Sequence, residues 1–220
     1  MTDAFLTPEI FAKFVNVSRE TLTRLETYAA LLVKWQAAIN LVGRDTLPDL
    51  WRRHMLDSAQ LAEGIAPAKP DGAPLTILDL GSGAGFPGLV LAIMGADQGR
   101  RWSVHLAESD ARKCAFLATV ARETGVEVKI HTARIEKLTP FAADIVTARA
   151  LASLDALLAY AAPFLTPDSE CLFLKGATAE DELTLARKSW NMAIERQPSR
   201  SGPAGSMLRI REISRVKSNS

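Results

Sequence analysis

Apolar residues in the first quarter of the chain recur every three or four positions, whereas further on they gather into short runs separated by helical stripes. Between Thr7 and about Leu61, the stripe Leu22, Leu25, Tyr28, Ala29, Leu32, Trp35, Ile39 marks one helix face, and Leu50, His54, Asp57 and Leu61 mark a later segment. The pattern predicts two or three helices, with Pro8 and Pro48 in first turns, where a missing N–H costs no hydrogen bond. The stretch "APAKPDGAP", residues 66–74, is rich in Pro and Gly and reads as a boundary between a helical extension, 1–70, and a second unit, 71–220. Beyond it, apolar runs predict strands near 75–80, 102–107, 126–131, 144–148 and 170–174, with weaker ones near 191–196 and 207–213. Helices near 87–95, 110–124, 153–164 and 178–190 fill the gaps. Such alternation implies parallel strands joined by right-handed crossovers.

The first strand runs into "ILDLGSGAGFPG", residues 77–88, which can be read in two registers. From Gly83, the residues Gly83, Gly85 and Gly88 satisfy G-x-G-x-x-G, with Glu108 about twenty positions on, as a dinucleotide site requires. From Gly81, the pattern is D-x-G-x-G-x-G: Asp79 ends the strand and Gly81, Gly83 and Gly85 form a loop suited to the amino-acid end of S-adenosyl-L-methionine. The last two strands separate these readings. No helix-length pattern lies between them, and the Pro and Gly there suit an antiparallel return. The expected fold is therefore α/β: a Rossmann-like, mostly parallel seven-stranded sheet with an antiparallel last strand and an N-terminal helical extension, as in class I S-adenosyl-L-methionine-dependent methyltransferases. A two-cradle dehydrogenase would not end this way.

In that register the glycines let the backbone turn tightly and approach a ligand where a Cβ would collide. Pro87 would open the next helix. Asp79 would order the loop or reach the cofactor's ammonium through water. Glu108, an acceptor at a strand end, suits both ribose hydroxyls; that role is common to both cofactors, and a solvated strand-end acid is the plainer alternative. After the third strand, the backbone at Arg134 and Ile135 and the Ile135 side chain can bind an adenine ring, with Glu136 near its edge, unless these are ordinary turn residues. Arg149 ends the fourth strand at the expected topological switch point. There it can grip a carboxylate or phosphate, or pair with a neighbouring acid.

Composition narrows the chemistry. An apolar fraction of 48% in 220 residues excludes disorder, and no apolar run approaches the roughly 20 residues of a membrane span. The acidic start, "MTDAFLTPEI", lacks the bases of a signal peptide, so a cytoplasmic protein is expected. Cys114 and Cys171 lack metal-ligand spacing, and His54, His105 and His131 are scattered, so no metal site is expected and both thiols read as packing residues. There is no N-P-P-Y-like stretch to accept protons from an exocyclic amine. Guanine N7 presents an in-plane lone pair to a sulfonium and needs no general base; alignment and a suitable field can suffice.

Taken together, "LVKWQAAINLVGRD", "RRHMLDS", "ILDLGSGAGFPG", "ARIEKL", "ARALASL" and "LFLKG" resemble the bacterial small-subunit ribosomal RNA methyltransferase G family, also called glucose-inhibited division protein B, from Leu31 to Gly176. The resemblance implies methyl transfer from S-adenosyl-L-methionine to N7 of a guanine in the 530 loop of 16S rRNA, naked or within the small subunit; a monomer is expected, although the sequence does not fix the oligomeric state. Carried over by motif, Gly81, Phe86, Ile135, Glu136 and Arg149 would contact the cofactor, while Arg149 and Lys175 would serve catalysis at the mouth of the site. Arg52, Arg53 and Arg134 are the candidate RNA contacts, with Arg44 and His54 in the same basic cluster. The tail bases Arg209, Arg211, Arg215 and Lys217, set against Glu212, read as solvated surface. His54 reads as a core or hinge histidine and Trp35 as core. A nicotinamide-dependent oxidoreductase and a small-molecule methyltransferase are the competing readings. A net charge of +1 leaves any polyanion to local patches.

Overall fold

The computed structural model describes residues 5–216. Thr7 caps α1 (Pro8–Val15) through the Ile10 amide and Ser18 caps α2 (Arg19–Gln36) through the Thr21 amide, each satisfying an otherwise orphaned donor. Pro8 lies in its first turn as expected. The later segment is no regular helix. A 3₁₀ turn (Arg44–Asp49) with Pro48 inside it leads into a π-helical turn (Trp51–Leu56), then the short α3 (Asp57–Ala59) and a second 3₁₀ turn (Gln60–Gly64). The stripe from Leu50 to Leu61 is thus carried by a helix that changes pitch, and wide π turns of this kind gather at functional sites.

The remaining elements alternate: β1 (Leu75–Leu80), α4 (Gly88–Asp97), β2 (Trp102–Glu108), α5 (Ala111–Thr124), β3 (Lys129–Thr132), β4 (Ala143–Arg149), α6 (Leu154–Ala161), β5 (Leu165–Lys175), α7 (Ala179–Ala186), β6 (Trp190–Pro198) and β7 (Ser206–Arg215). They form a seven-stranded sheet of order β3-β2-β1-β4-β5-β7-β6, in which β1 to β5 pair in parallel and β7 runs against both neighbours. The expected antiparallel last strand is present. Several boundaries differ from the sequence reading, among them the end of α7, which stops at Ala186 rather than near residue 190. Pro87 precedes α4 as its cap residue rather than opening it. Val126 belongs to the end of α5: Gly125 turns left-handed at φ 66°, and the Val126 amide donates back to Ala121, which delays β3 to Lys129. β5 reaches back to Leu165, and its early residues are largely exposed.

Alternation along β1 assigns its side chains to two cores. Ile77 joins Val104 and Leu106 under α4 and α5, whereas Leu78 and Leu80 join Leu157, Phe164 and Phe173 under α6 and α7. The first core also contains Phe11, Leu25, Tyr28 and Leu32, so the N-terminal helices extend the sheet's own core. Trp35 packs there against Phe116, with ring centroids 5.6 Å apart. Both cysteines are buried free thiols. Because Leu32 is fully buried in a shared core, Leu32→Ala is expected to cost about 2–5 kcal/mol and to leave one cooperative thermal transition. Separate melting of the N-terminal helices, followed by calorimetry, would contradict the shared core.

Candidate cofactor and substrate cleft

The strand order reverses direction between β1 and β4, which opens a crevice beyond their carboxyl ends. A cleft of about 1000 Å³ lies there. Its floor is the turn after β1, where Gly81, Gly83 and Gly85 all have positive φ; Gly81 and Gly83 line the cleft, whereas Gly85, expected to bind the cofactor, lies behind it, where an added Cβ would meet Leu89 and Tyr28. At Gly81 the constraint is double: φ is +62°, and an added Cβ would stand 2.5 Å from Leu151 Cδ1. Gly88 serves another purpose, since a Cβ there would collide with Leu106 Cδ2 and so hold α4 off the sheet.

Asp79 organises this turn. It is fully buried, its Oδ1 accepts from the Thr147 hydroxyl at 2.9 Å, and its Oδ2 accepts from the Gly88 amide at 3.3 Å. Burial raises its pKa from 3.8 to about 6, against hydrogen bonds from Thr147, Ser82 and Gly88. Of its two anticipated roles, ordering the loop is the one its contacts serve. Glu108 is equally fixed but faces the cleft: Oε2 accepts from the Gly83 amide at 2.9 Å and Oε1 from the Asp110 amide at 2.8 Å. At 9% exposure it is no solvated strand-end acid, and each oxygen keeps a further lone pair. Ile135 and Glu136 lie in a 3₁₀ turn after β3 and line the far end of the cleft, next to Arg134.

Phe86 is the centre of a stack built from remote segments. Tyr28 from α2 lies against it at 5.0 Å between ring centroids, His54 at 5.1 Å, and the Arg149 guanidinium at 4.9 Å. The Tyr28 hydroxyl donates to the Ala84 carbonyl, so the extension supports the glycine turn directly. Arg149 is already engaged: Nη1 donates to the Arg53 carbonyl at 3.0 Å and lies 3.7 Å from Asp57 Oδ2, the acid pairing that was the alternative to ligand binding. Lys175 is likewise paired, with Nζ 2.6 Å from Glu182 Oε2 and donating to the Ala152 carbonyl at 2.8 Å. Burial alone would raise the Glu182 carboxyl; Lys175 and Thr178 hold it below its usual value. Arg149, Lys175 and Glu182 all line the cleft.

The basic residues divide by position. Arg53 and Arg134 line the cleft, whereas Arg52 pairs with Asp49 at 3.4 Å and lies off the lining. Arg209 and Arg211 pair with Glu170, and Arg215 covers the Trp190 ring, so this end of the sheet is internally neutralised. Lys217 lies outside the described residues. Among the described residues, no group of three or more His, Cys, Asp or Glu side chains could hold a metal ion, and no helix is long and apolar enough to cross a membrane.

Sequence reading did not assign Tyr28, Asp57 or the turn Ser201–Gly205 to the site, yet Tyr28 supports the floor and the others form its walls. The Ser- and Gly-rich composition of that turn was the available signal. His54 is buried, as expected of a core or hinge residue, but it also lines the cleft. Thr46 Oγ1 spends its one proton on the Gly43 carbonyl at 2.6 Å, so it must accept from His54 Nε2 at 2.7 Å. Nδ1 is left as a buried acceptor without a partner. Burial, reinforced by Arg149 and Arg53, lowers the His54 pKa from 6.5 to about 3. As pH falls below 6.5 the unfolded chain therefore takes up a proton that the folded chain refuses, and stability is lost down to about pH 3. The nontitrating variant His54→Gln should gain about 2 kcal/mol on the parent between pH 7 and pH 5. A pH-independent difference in denaturant unfolding would refute this.

Residues 21–202 match a family model described as rRNA small subunit methyltransferase G. Ribosomal RNA small subunit methyltransferase G of Paramagnetospirillum magneticum is 58% identical over 208 residues, 94% of this chain and 97% of that protein. The protein of the same name from Rhodospirillum rubrum is 54% identical over 211 residues, 96% of this chain and all of that protein. Among solved structures, a TehB-like SAM-dependent methyltransferase from Corynebacterium glutamicum is 17% identical and shares the fold, with a TM-score of 0.55 over 86% of this chain and 98% of that one. Identity above one half along nearly the whole length makes this chain a member of the rRNA small subunit methyltransferase G family.

Proposed function

We propose that this chain transfers the methyl group of S-adenosyl-L-methionine to N7 of a guanine in 16S rRNA. The observation that carries the reading is the anchored Glu108 carboxylate facing a cleft floored by the glycine turn, in a member of a methyltransferase family. Both features fit the cofactor: a fixed acceptor pair for ribose hydroxyls, and a backbone turn that side chains cannot fill. Bound there, the cofactor supplies an electrophilic methyl group on a sulfonium.

The residues then have the following roles. Gly81 and Gly83 let the methionine end lie against the backbone, Gly85 lets the turn pack on Leu89 and Tyr28, and Glu108 accepts from the ribose. Ile135 covers the adenine ring and Glu136 stands at its edge. Phe86, clamped by Tyr28 and Arg149, keeps the turn in shape. Asp57 balances the Arg149 charge, which would otherwise repel a cationic ligand. N7 needs no proton removed, and the neutral His54 with its inaccessible Nδ1 is not required as a base. Alignment in a near-attack geometry is the demand the site must meet. Arg149 and Lys175 orient the base, while Arg53 and Arg134, with Arg52 beside them, take phosphates.

The extension, 1–70, and the methyltransferase unit, 71–220, act together as a cytoplasmic monomer. The small net charge favours an assembled small subunit over naked rRNA, because a polyanion held by local patches alone needs presentation by other components. Tritium transfer from labelled cofactor, followed by nuclease mapping, should place label on one guanine, with subunits outpacing free rRNA. Arg149→Ala and Lys175→Ala should each lower turnover by about tenfold or more. Binding of NADH with no response to S-adenosylhomocysteine would instead support an oxidoreductase.

A further inference from the structure

The turn between β6 and β7 forms one wall of the cleft, yet it has little apolar anchorage. Ser199 is its buried residue, whereas Pro203 and Ala204 are exposed. What fixes it is a carboxylate more than 140 positions earlier. Asp57 Oδ1 accepts from Ser199 Oγ at 2.9 Å and from Ser201 Oγ at 2.8 Å, and also from Gln60 Nε2 at 3.0 Å. Gln60 completes the clasp, with Nε2 reaching Ser199 Oγ at 3.1 Å and Oε1 accepting from the Arg200 amide at 3.0 Å. Glu63 then pairs with the Arg200 guanidinium. Asp57, Gln60 and Glu63 are spaced by three, so a segment ending in 3₁₀ geometry presents them on one side.

The other oxygen of Asp57 faces inward, 3.7 Å from Arg149 Nη1. One side chain therefore holds both the outer wall of the cleft and the cation at its floor. Hydroxyls donating to an ionised carboxylate are among the stronger hydrogen bonds, and a buried guanidinium stripped of its counter-ion is costly. We propose that Asp57 is a positioning residue for methyl transfer: Oδ1 fixes the turn 199–205 as the surface against which the RNA docks, and Oδ2 holds Arg149 over Phe86. This inference rests on the function proposed above.

The two halves separate in steady-state methylation of small subunits. The double variant Ser199→Ala, Ser201→Ala removes the donors of the turn and leaves Asp57 facing Arg149. It should raise the KM for RNA about tenfold with kcat within about twofold. Asp57→Asn keeps an oxygen for the serines but loses the charge opposite Arg149, and should lower kcat about tenfold with a smaller change in KM. The serine variant should bind S-adenosylhomocysteine within about threefold of the parent, which an indirect loss of fold would not allow. If both variants turn over like the parent, or lose kcat and KM alike, the assignment is wrong. Should Asp57→Asn fail to fold, hydrogen exchange in the serine variant decides: amides of 199–206 exchanging at least about tenfold faster support the clasp, and unchanged rates overturn it. Absence of rRNA methylation by the parent would defeat the functional reading, while the exchange result would still report on the clasp.

Discussion

A single buried carboxylate fixes where the cleft can be. Asp79 sits opposite Thr147 in the parallel pairing of β1 with β4, so its side chain meets a hydroxyl on the neighbouring strand as a consequence of register. Its second oxygen holds the Gly88 amide, nine residues on, at the start of α4. The chain between leaves the strand and returns to the same side chain. Positive φ at Gly81, Gly83 and Gly85 turns it, and at Gly81 and Gly83 it leaves backbone facing the crevice. A buried acid without these partners would stay protonated; the hydrogen bonds hold its pKa to about 6 against full burial.

The glycine turn also needs support from beneath, and the extension supplies it. Tyr28 reaches from α2 to the Ala84 carbonyl and stacks on Phe86, whose other neighbours are His54 and Arg149. This explains why the extension shares the sheet's core instead of forming its own. Interior packing tolerates little displacement, so a shift in α2 is transmitted to the floor of the cleft. The π turn at Trp51–Leu56 serves the same end: it brings His54 against Phe86 and sets Asp57 facing Arg149.

Much of this was legible in the sequence because it is local. Apolar runs and the helical stripes between them located all seven strands, and the Pro and Gly between the last two announced the antiparallel return. The place of Glu108 at the end of the second strand was legible too. The irregular segment was not, since the spacing of Leu50, His54, Asp57 and Leu61 suits an α-helix as well as the wider turn that forms. Val126 has the residue type of a strand and is drawn instead to the end of α5 by the left-handed Gly125. Tyr28 looked like core, and it is core; its hydroxyl contact depends on a tertiary approach that periodicity does not encode. The same holds for Asp57 with Ser199 and for Lys175 with Glu182, pairs whose meaning arises when distant segments meet.

The arrangement of charge answers two opposed demands. A cleft that takes RNA must attract phosphates, and one that takes a sulfonium must not repel a cation. The inner cations are each matched: Arg149 by Asp57, Lys175 by Glu182, with Glu108 and Asp79 close to the floor. Arg53 and Arg134 stand on the lining, and Arg134 is exposed. Charge is thus paired at Arg149 and Lys175 and exposed at Arg53 and Arg134. A chain with a net charge of +1 can satisfy both demands only by this separation in space.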